Sequence, residues 1–285
     1  MPRISRIASA FFIAVSFYAS VGSAQTFKVV KWNIGGDGGT DYVTAEAGTG
    51  RVFVSRGTHV MVVDGPRGNV LGDIVDTPGV HGIAFAPKAN HGFTTNGGDS
   101  TVTMFDLATL AVIKKIKVPN GGLDGITYDE YDDRIILTNH SRPLGTLVAI
   151  DPKSGDIVGT AELEDVAPEG AAANGKGWIY VNNESKNTIQ VIDVGTWKAV
   201  QSWPVAPCEH PTGIAYDGTS NRIFVGCGKT SVVVEGASGK IVAYLFQPEY
   251  GPPLAPVPGA AAAPSGGRGG PRGPIVAAWF FAITQ

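Results

Sequence analysis

Positively charged residues are scarce in this sequence. It has 22 lysines and arginines against 25 aspartates and glutamates, which gives a formal net charge of −3 over 285 residues. Binding to nucleic acid without sequence preference depends on clustered basic side chains that neutralise phosphates. The sequence shows no basic stripe of this kind. We therefore expect no nucleic-acid partner and no attachment to a membrane surface through basic residues.

The short motifs that mark common enzyme sites are also lacking. No G-x-S-x-G pentapeptide, which would carry a nucleophilic serine, occurs in the chain. The glycine-rich stretch GRGGPRG follows no strand pattern and does not end in Gly-Lys-Ser/Thr, so it does not predict a phosphate-binding loop. No two histidines have the close spacing of a His-x-x-x-His metal motif. These motifs therefore do not predict any particular enzymatic reaction.

A long apolar run occurs at the N-terminus, from Ile7 to Val21. Arg3 and Arg6 precede it, and the small residues Gly22 and Ala24 follow it. This order is typical of a secretory signal peptide, here residues 1–24. The alternative is an uncleaved membrane anchor, although the run is short for a membrane span. We expect a periplasmic or secreted protein with no stable membrane span after signal cleavage.

Two independent markers repeat along residues 25–248. β-rich runs end in an acidic residue at intervals of 42, 45, 42 and 42 residues, and a glycine recurs at intervals of 43, 45 and 43. The acidic markers are Asp64, Asp106, Asp151, Asp193 and Glu235, and the glycines are Gly82, Gly125, Gly170 and Gly213. Repeats of about 40–50 residues indicate solenoids, propellers or arrays.

Strand content decides among these architectures. Each unit contains four short β-rich segments, such as GIAYD, RIFVGC, TSVVVE and IVAYLF, and no segment has a helical stripe long enough for a helical repeat. The third segment is mostly apolar on both faces, as expected for a sheet packed between two neighbours. The sequence predicts an all-β propeller of five four-stranded blades that begin near residues 41, 82, 125, 170 and 213. One extra strand, FKVVKWNI (residues 27–34), would precede them.

Several stretches resemble the YVTN-repeat β-propeller family of secreted bacterial proteins. They are GFTTNGGDSTVTMFDLATLAVIKKIKV, IYVNNESKNTIQVIDVGTWKAVQSWPV and APCEHPTGIAYDGTSNRIFVGC. The resemblance implies an exported propeller, commonly of seven blades, and no particular chemistry. This chain has five units, followed by a Pro/Gly/Ala-rich tail over residues 249–285 that we expect to be mostly disordered. We favour a truncated or frame-shifted chain whose first and fifth blades meet imperfectly; the alternative is a five-unit open or small ring.

The two cysteines lie in the fifth unit. Cys208 precedes its first strand and Cys227 ends its second. Because adjacent antiparallel strands place the start of one beside the end of the next, the two sulfur atoms should meet. In an oxidising compartment this favours a structural disulfide, and two free buried thiols are the alternative.

Polar residues recur in two sets of loops that share one face of a propeller around its central channel. The loops before the innermost strands contain His81, Asp124, Glu169, Glu209 and His210. The loops between the second and third strands contain Asn96, Asn139, His140, Arg142, Asn182, Asn183 and Glu184. These residues could simply be solvent-facing turn residues. They could also form a face that binds a small molecule, peptide or protein.

A third interpretation is a divalent metal held by Asp124, Glu169 and a histidine, His81 or His210, in a hydrolase or lactonase. We expect an exported binding or scaffold protein that uses this loop face without catalysis. The metal-dependent enzyme is the alternative. No catalytic residue and no cofactor are predicted, but a divalent metal is compatible with the residues.

Overall fold

The fold is a five-bladed β-propeller. The computed structural model describes residues 30–228 and 230–246, and within them the chain forms twenty strands and one 3₁₀-helix, Pro87–Ala89. The strands make five antiparallel sheets of four consecutive strands, arranged in a ring. The predicted all-β propeller is therefore confirmed. The predicted signal peptide (1–24) and the tail (249–285) lie outside the described residues.

Every blade is a simple meander, with each strand paired to the next along the chain. The first two blades contain β1 (Val43–Ala45), β2 (Arg51–Ser55), β3 (Val60–Asp64), β4 (Val70–Ile74), β5 (Val80–Ala86), β6 (His91–Asn96), β7 (Thr101–Asp106) and β8 (Val112–Lys117). The third contains β9 (Gly122–Asp129), β10 (Arg134–His140), β11 (Thr146–Ile150) and β12 (Ile157–Glu162). The last two contain β13 (Pro168–Ala173), β14 (Trp178–Asn183), β15 (Thr188–Asp193), β16 (Lys198–Pro204), β17 (Gly213–Asp217), β18 (Arg222–Gly226), β19 (Thr230–Glu235) and β20 (Ile241–Phe246).

The acidic marker of the repeat ends the third strand of a blade and organises the next turn. Asp106 Oδ1 accepts hydrogen bonds from the backbone N–H groups of Ala108 (3.0 Å) and Thr109 (2.7 Å). Asp151 Oδ1 accepts equivalent bonds from Lys153 and Ser154. A short carboxylate bonds its own turn in this way, which explains why aspartate recurs there. The third strand ends at the marker in four blades and one residue before Asp151 in the third.

Apolar side chains on both faces of each blade form cores with both neighbours. In β11, Leu147 and Ala149 pack toward the fourth blade, whereas Val148 and Ile150 pack toward the second. This alternation follows from the two-residue period of a strand. Four hydrophobic clusters of this kind join blades one to two, two to three, three to four and four to five. The prediction that the sheets are covered on both faces is correct for the middle blades.

The junction between the first and fifth blades differs from the other four. In the first blade, Val54, Met61 and Val63 form a separate cluster that includes Ile34. Among the residues that the structure describes, no hydrophobic cluster combines side chains of the first and fifth blades. Within residues 30–228 and 230–246, this junction therefore contributes less apolar burial than the other four.

The extra N-terminal strand predicted over residues 27–34 is not formed by residues 30–34, which have no regular secondary structure. Residues 27–29 lie outside the described part. A strand needs a sheet edge to pair with, and each of the five sheets consists of four strands from its own repeat, with none from residues 30–34.

Cys208 and Cys227 form a disulfide, with their Cα atoms 5.5 Å apart, as predicted. It joins the loop before β17 to the residue after β18, and both cysteines are buried in the cluster between the fourth and fifth blades. Within the described range, no helix has the length and apolar character needed to cross a bilayer.

Candidate metal and ligand site at the mouth of the central channel

One residue position near the start of the innermost strand is ionisable in four of the five blades. In blades two to five it is the residue before the recurring glycine: His81, Asp124, Glu169 and Thr212. In the first blade the strand pairing gives Asp41 as the equivalent residue, because Val43 pairs with Val54 as Ile83 pairs with Thr94. The fold therefore brings residues from separate repeats to one mouth of the central channel.

Three side chains at this mouth have the composition of a metal site. Asp124, His140 and Glu169 each offer one ligand atom, and these atoms all lie within 4.8 Å of one another. His140 Nε2 is 3.9 Å from Asp124 Oδ2 and 3.6 Å from Glu169 Oε1. Both carboxylate side chains are only 15% exposed. We call Asp124, His140 and Glu169 the mouth triad.

A second histidine lies beside the triad. His81 Nδ1 is 2.6 Å from Asp41 Oδ2 and 4.0 Å from Asp124 Oδ2. The hydrogen bond with Asp41 raises the pKa of His81, although burial opposes this effect. A carboxylate bonded to one imidazole nitrogen orients the ring and favours its protonated form.

The environment of the two carboxyl groups in the triad disfavours their charged forms. Burial raises the pKa of Asp124, although His81 and His140 oppose the rise. Burial and the charges of Asp124, Glu184 and Asp41 raise the pKa of Glu169 to about 8. Tyr42 donates a hydrogen bond to Asp124 Oδ1 (3.3 Å), and burial raises the pKa of Tyr42 well above its usual value. Such groups gathered in one place indicate a functional site.

A cavity of about 350 Å³ is lined by residues that adjoin the triad in the chain. Gly125 and Gly170, which follow Asp124 and Glu169 in the chain, contribute to its wall, as does Tyr42. All lining residues are uncharged, and they come from the innermost segments of all five blades. They are Tyr42, Thr44, Ile83, Ala84, Phe85, Gly125, Ile126, Thr127, Tyr128, Gly170, Ala171 and Ile214. We call this cavity the channel chamber.

The asparagines at the ends of the second strands hold loops together. Asn96 Nδ2 donates to Thr101 (3.0 Å), Asn139 Nδ2 to Thr146 (3.2 Å) and Asn183 Nδ2 to Thr188 (3.2 Å), so one bond repeats in three blades. All three asparagines are buried. Asn182 Nδ2 donates to the carbonyls of Thr212 and Gly213. Of the predicted site residues, Asn139 and Asn183 thus already have partners within their own blades.

The remaining predicted residues lie outside the triad. Arg142 and Glu209 are exposed. His210 is exposed as well, and its Nδ1 is 3.7 Å from Glu184 Oε1. Its backbone N–H donates to Asn187 Oδ1 (2.8 Å). His140, rather than the predicted candidates His81 or His210, is therefore the histidine that joins Asp124 and Glu169 in the possible ligand group.

Sequence reasoning missed Asp41 and Tyr42. The glycine marker identifies the equivalent position in the later repeats, but Tyr42 replaces that glycine in the first. Tyr42 lies 40 residues before Gly82, close to the repeat length, and this spacing was the available signal.

The fold resembles several solved propellers at low sequence identity. Virginiamycin B lyase from Staphylococcus aureus superposes with a TM-score of 0.63 at 16% identity, covering 75% of this chain and 72% of that chain. A catalytically inactive histidine-to-alanine variant of that lyase, solved with quinupristin, gives 0.62 at 15% identity, with coverages of 75% and 72%. Hydrazine synthase of Kuenenia stuttgartiensis gives 0.64 at 17% identity, covering 79% of this chain and 70% of that chain.

No family model matches the sequence, and no curated protein matches it either. Likeness at this level of identity shows the fold alone, because one propeller fold supports many unrelated functions. The chain is a five-bladed β-propeller, and its activity must be inferred from its own site.

Proposed function

We propose that the protein is an exported binding protein that holds a divalent metal ion in the mouth triad and uses it to bind a small ligand. The observation that carries this proposal is the convergence of Asp124, His140 and Glu169 from two blades, with their ligand atoms within 4.8 Å of one another. The predicted signal peptide, the disulfide and the resemblance to secreted propellers support export.

The donor set suits a divalent ion. Two carboxylates and one imidazole are ligands that Zn²⁺ and Mn²⁺ accept. Three protein ligands leave coordination positions for an external molecule. His140 Nε2 is 2.9 Å from the Pro168 carbonyl, so metal binding through this atom would replace that hydrogen bond. A bound cation would also stabilise the charged forms of Asp124 and Glu169, whose burial otherwise disfavours them.

Metal binding by the purified mature protein tests the proposal. We expect isothermal titration calorimetry with Mn²⁺ or Zn²⁺ to show one ion per chain. Glu169→Gln and Asp124→Asn should each abolish this binding, because each removes a charged ligand. Asp73→Asn is a matched control, since Asp73 lies beside His59 on the first blade, away from the channel. Equal binding by wild type and both triad variants would refute the proposal.

Metal-dependent hydrolysis is a second candidate, and the His81–Asp41 pair favours it specifically. An imidazole oriented by a carboxylate and lying 4.0 Å from a metal-ligand candidate could accept a proton from a water molecule. A metal ion would supply Lewis acidity and lower the pKa of bound water. In the related fold, a histidine-to-alanine variant of virginiamycin B lyase is described as catalytically inactive.

The catalytic candidate makes its own prediction. With a lactone or ester panel and Mn²⁺ present, His81→Gln should lose turnover while metal still binds. A binding protein would show no turnover in wild type. The Asp41→Asn variant separates orientation of the imidazole from metal binding, because Asp41 lies outside the triad.

A further inference from the structure

The channel chamber is lined by uncharged residues, although two of them, Gly125 and Gly170, directly follow the carboxylates Asp124 and Glu169 in the chain. We propose that it takes the uncharged, largely apolar body of a small carboxylic acid, whose carboxylate head lies at the mouth triad. This inference rests on the proposed function, because the metal ion there would hold the head.

The size of the chamber sets the size of the ligand. A volume of about 350 Å³ is at the lower end of the range typical of small-molecule pockets. It has room for about twelve water-sized groups, since liquid water occupies roughly 30 Å³ per molecule. The body is therefore a single ring with a short chain, or an equivalent aliphatic group, and not a folded polypeptide.

The chemistry of the lining sets the polarity of the body. Phe85, Ile126 and Ile214 supply apolar surface from three innermost strands. Three of the four hydroxyl groups in the wall donate hydrogen bonds within the protein. Thr44 Oγ1 donates to the Ile83 carbonyl (3.1 Å) and Tyr128 OH donates to Asp133 (2.7 Å).

Tyr42 OH likewise donates a hydrogen bond to Asp124 at the mouth. With three of these four hydroxyl groups occupied, the wall offers a polar body few free hydroxyl groups to replace its hydrogen bonds to water. An apolar body has no such penalty, and its burial is favourable.

The position of the chamber sets the orientation of the ligand. Gly125 and Gly170 line the wall and directly follow the carboxylates Asp124 and Glu169. A molecule in the chamber therefore reaches the triad at one end. A divalent ion there prefers oxygen ligands, and a carboxylate supplies them together with compensating charge. An amine head would be repelled by the same ion.

Three probes with the same body and different heads test the inference: 4-phenylbutyrate, 4-phenylbutanol and 4-phenylbutylamine. We expect Mn²⁺-loaded protein to bind the carboxylate at least tenfold more tightly than the alcohol or the amine in calorimetry. Tighter binding of the amine or the alcohol, or no binding of the carboxylate to Mn²⁺-loaded protein, would overturn the inference.

Thr127 provides a matched pair of variants, because it lines the chamber and is not part of the triad. Thr127→Phe should lower the affinity for 4-phenylbutyrate at least tenfold, because the larger side chain occupies the chamber. Thr127→Val should not lower it, because valine is close in size to threonine. Mn²⁺ titration of both variants shows that the fold and the triad remain intact. Unchanged 4-phenylbutyrate affinity in a Thr127→Phe protein that binds Mn²⁺ normally would overturn the chamber inference and leave the proposed function standing. If the wild-type protein did not bind Mn²⁺, the proposed function would be refuted instead.

Discussion

Asp165 and Glu169 lie four residues apart at the start of the fourth blade, yet they have opposite environments. Asp165 is 1% exposed, and its carboxylate accepts hydrogen bonds from the backbone N–H groups of Ser185 (2.8 Å), Lys186 (3.1 Å) and Ala167 (3.2 Å), and from the Ser185 hydroxyl. Burial opposes ionisation of Asp165, but these bonds outweigh it and lower its pKa.

Glu169 receives no such support. Among the described residues, no backbone N–H group donates to its carboxylate, and His140 Nε2 lies 3.6 Å from its Oε1. Burial and neighbouring acids raise its pKa to about 8. The difference teaches how two acids of one loop region can be distinguished. Asp165 is charged because the fold satisfies it, whereas Glu169 would need a cation or ligand from outside.

The largest expected effect concerns metal binding. Glu169→Gln should reduce Mn²⁺ affinity at least 100-fold, because it removes a charged ligand, whereas Asp165→Asn should change the affinity by less than threefold. Calorimetry on both variants measures the contrast. If Asp165→Asn lowered the Mn²⁺ affinity as much as Glu169→Gln did, the two acids would not have separate roles.

Stability should show the reverse order. Asp165→Asn should lower the free energy of unfolding by about 2 kcal/mol, because buried N–H groups lose a charged acceptor. Glu169→Gln should leave stability unchanged or slightly raise it in metal-free buffer, because it removes burial of a charge and its repulsion from Asp124, Glu184 and Asp41. Urea denaturation followed by tryptophan fluorescence gives both values. A large loss of stability in Glu169→Gln would assign this residue to the fold.

The two acids should also give opposite pH dependences in chelator-treated protein. The folded-state pKa of Asp165 is lowered, so its contribution to stability is present above its unfolded pKa, about 4, and is lost as pH falls further. The folded-state pKa of Glu169 is raised, so stability falls as pH rises from about 4.5 toward 8. Unfolding free energies of wild type and Glu169→Gln should therefore diverge between these two values. Parallel curves would contradict the raised pKa.

The smallest expected effect concerns one donor to Asp165. Ser185→Ala removes the hydroxyl donor and keeps the backbone N–H donor of the same residue. We expect a loss of about 1 kcal/mol of stability, typical of one hydrogen bond, with Mn²⁺ affinity unchanged. A loss as large as that of Asp165→Asn would show that the hydroxyl, and not the backbone groups, holds this loop.

The sequence predicts the blade architecture well because the repeat is enforced locally. An aspartate that ends a strand must bond its own turn, as Asp106 does, and the spacing of such residues therefore reveals the strands. The cysteine pairing was predictable for a similar reason, since it depends on two neighbouring strands of one blade.

The site was only partly predictable because it depends on contacts between blades. Asp124 and Glu169 were identified from the repeat position, but the selection of His140 over His210 depends on side-chain direction. His210 lies in a loop that places it beside Glu184 instead. Asp41 was hidden because Tyr42 replaces the marker glycine. The predicted strand over residues 27–34 is not formed over 30–34, and each of the five sheets consists of four strands from its own repeat.

Melting with and without Mn²⁺ tests the central claim most directly, that Glu169 serves a ligand and Asp165 serves the fold. An ion that binds the folded state alone raises the melting temperature, by an amount that grows with the logarithm of the ratio of its concentration to its Kd. We predict that Mn²⁺ stabilises wild type and, from a lower starting temperature, Asp165→Asn by a similar amount. Glu169→Gln should start at or above the wild-type temperature and show no Mn²⁺ shift. A full Mn²⁺ shift in Glu169→Gln, or its absence in wild type, would contradict the account.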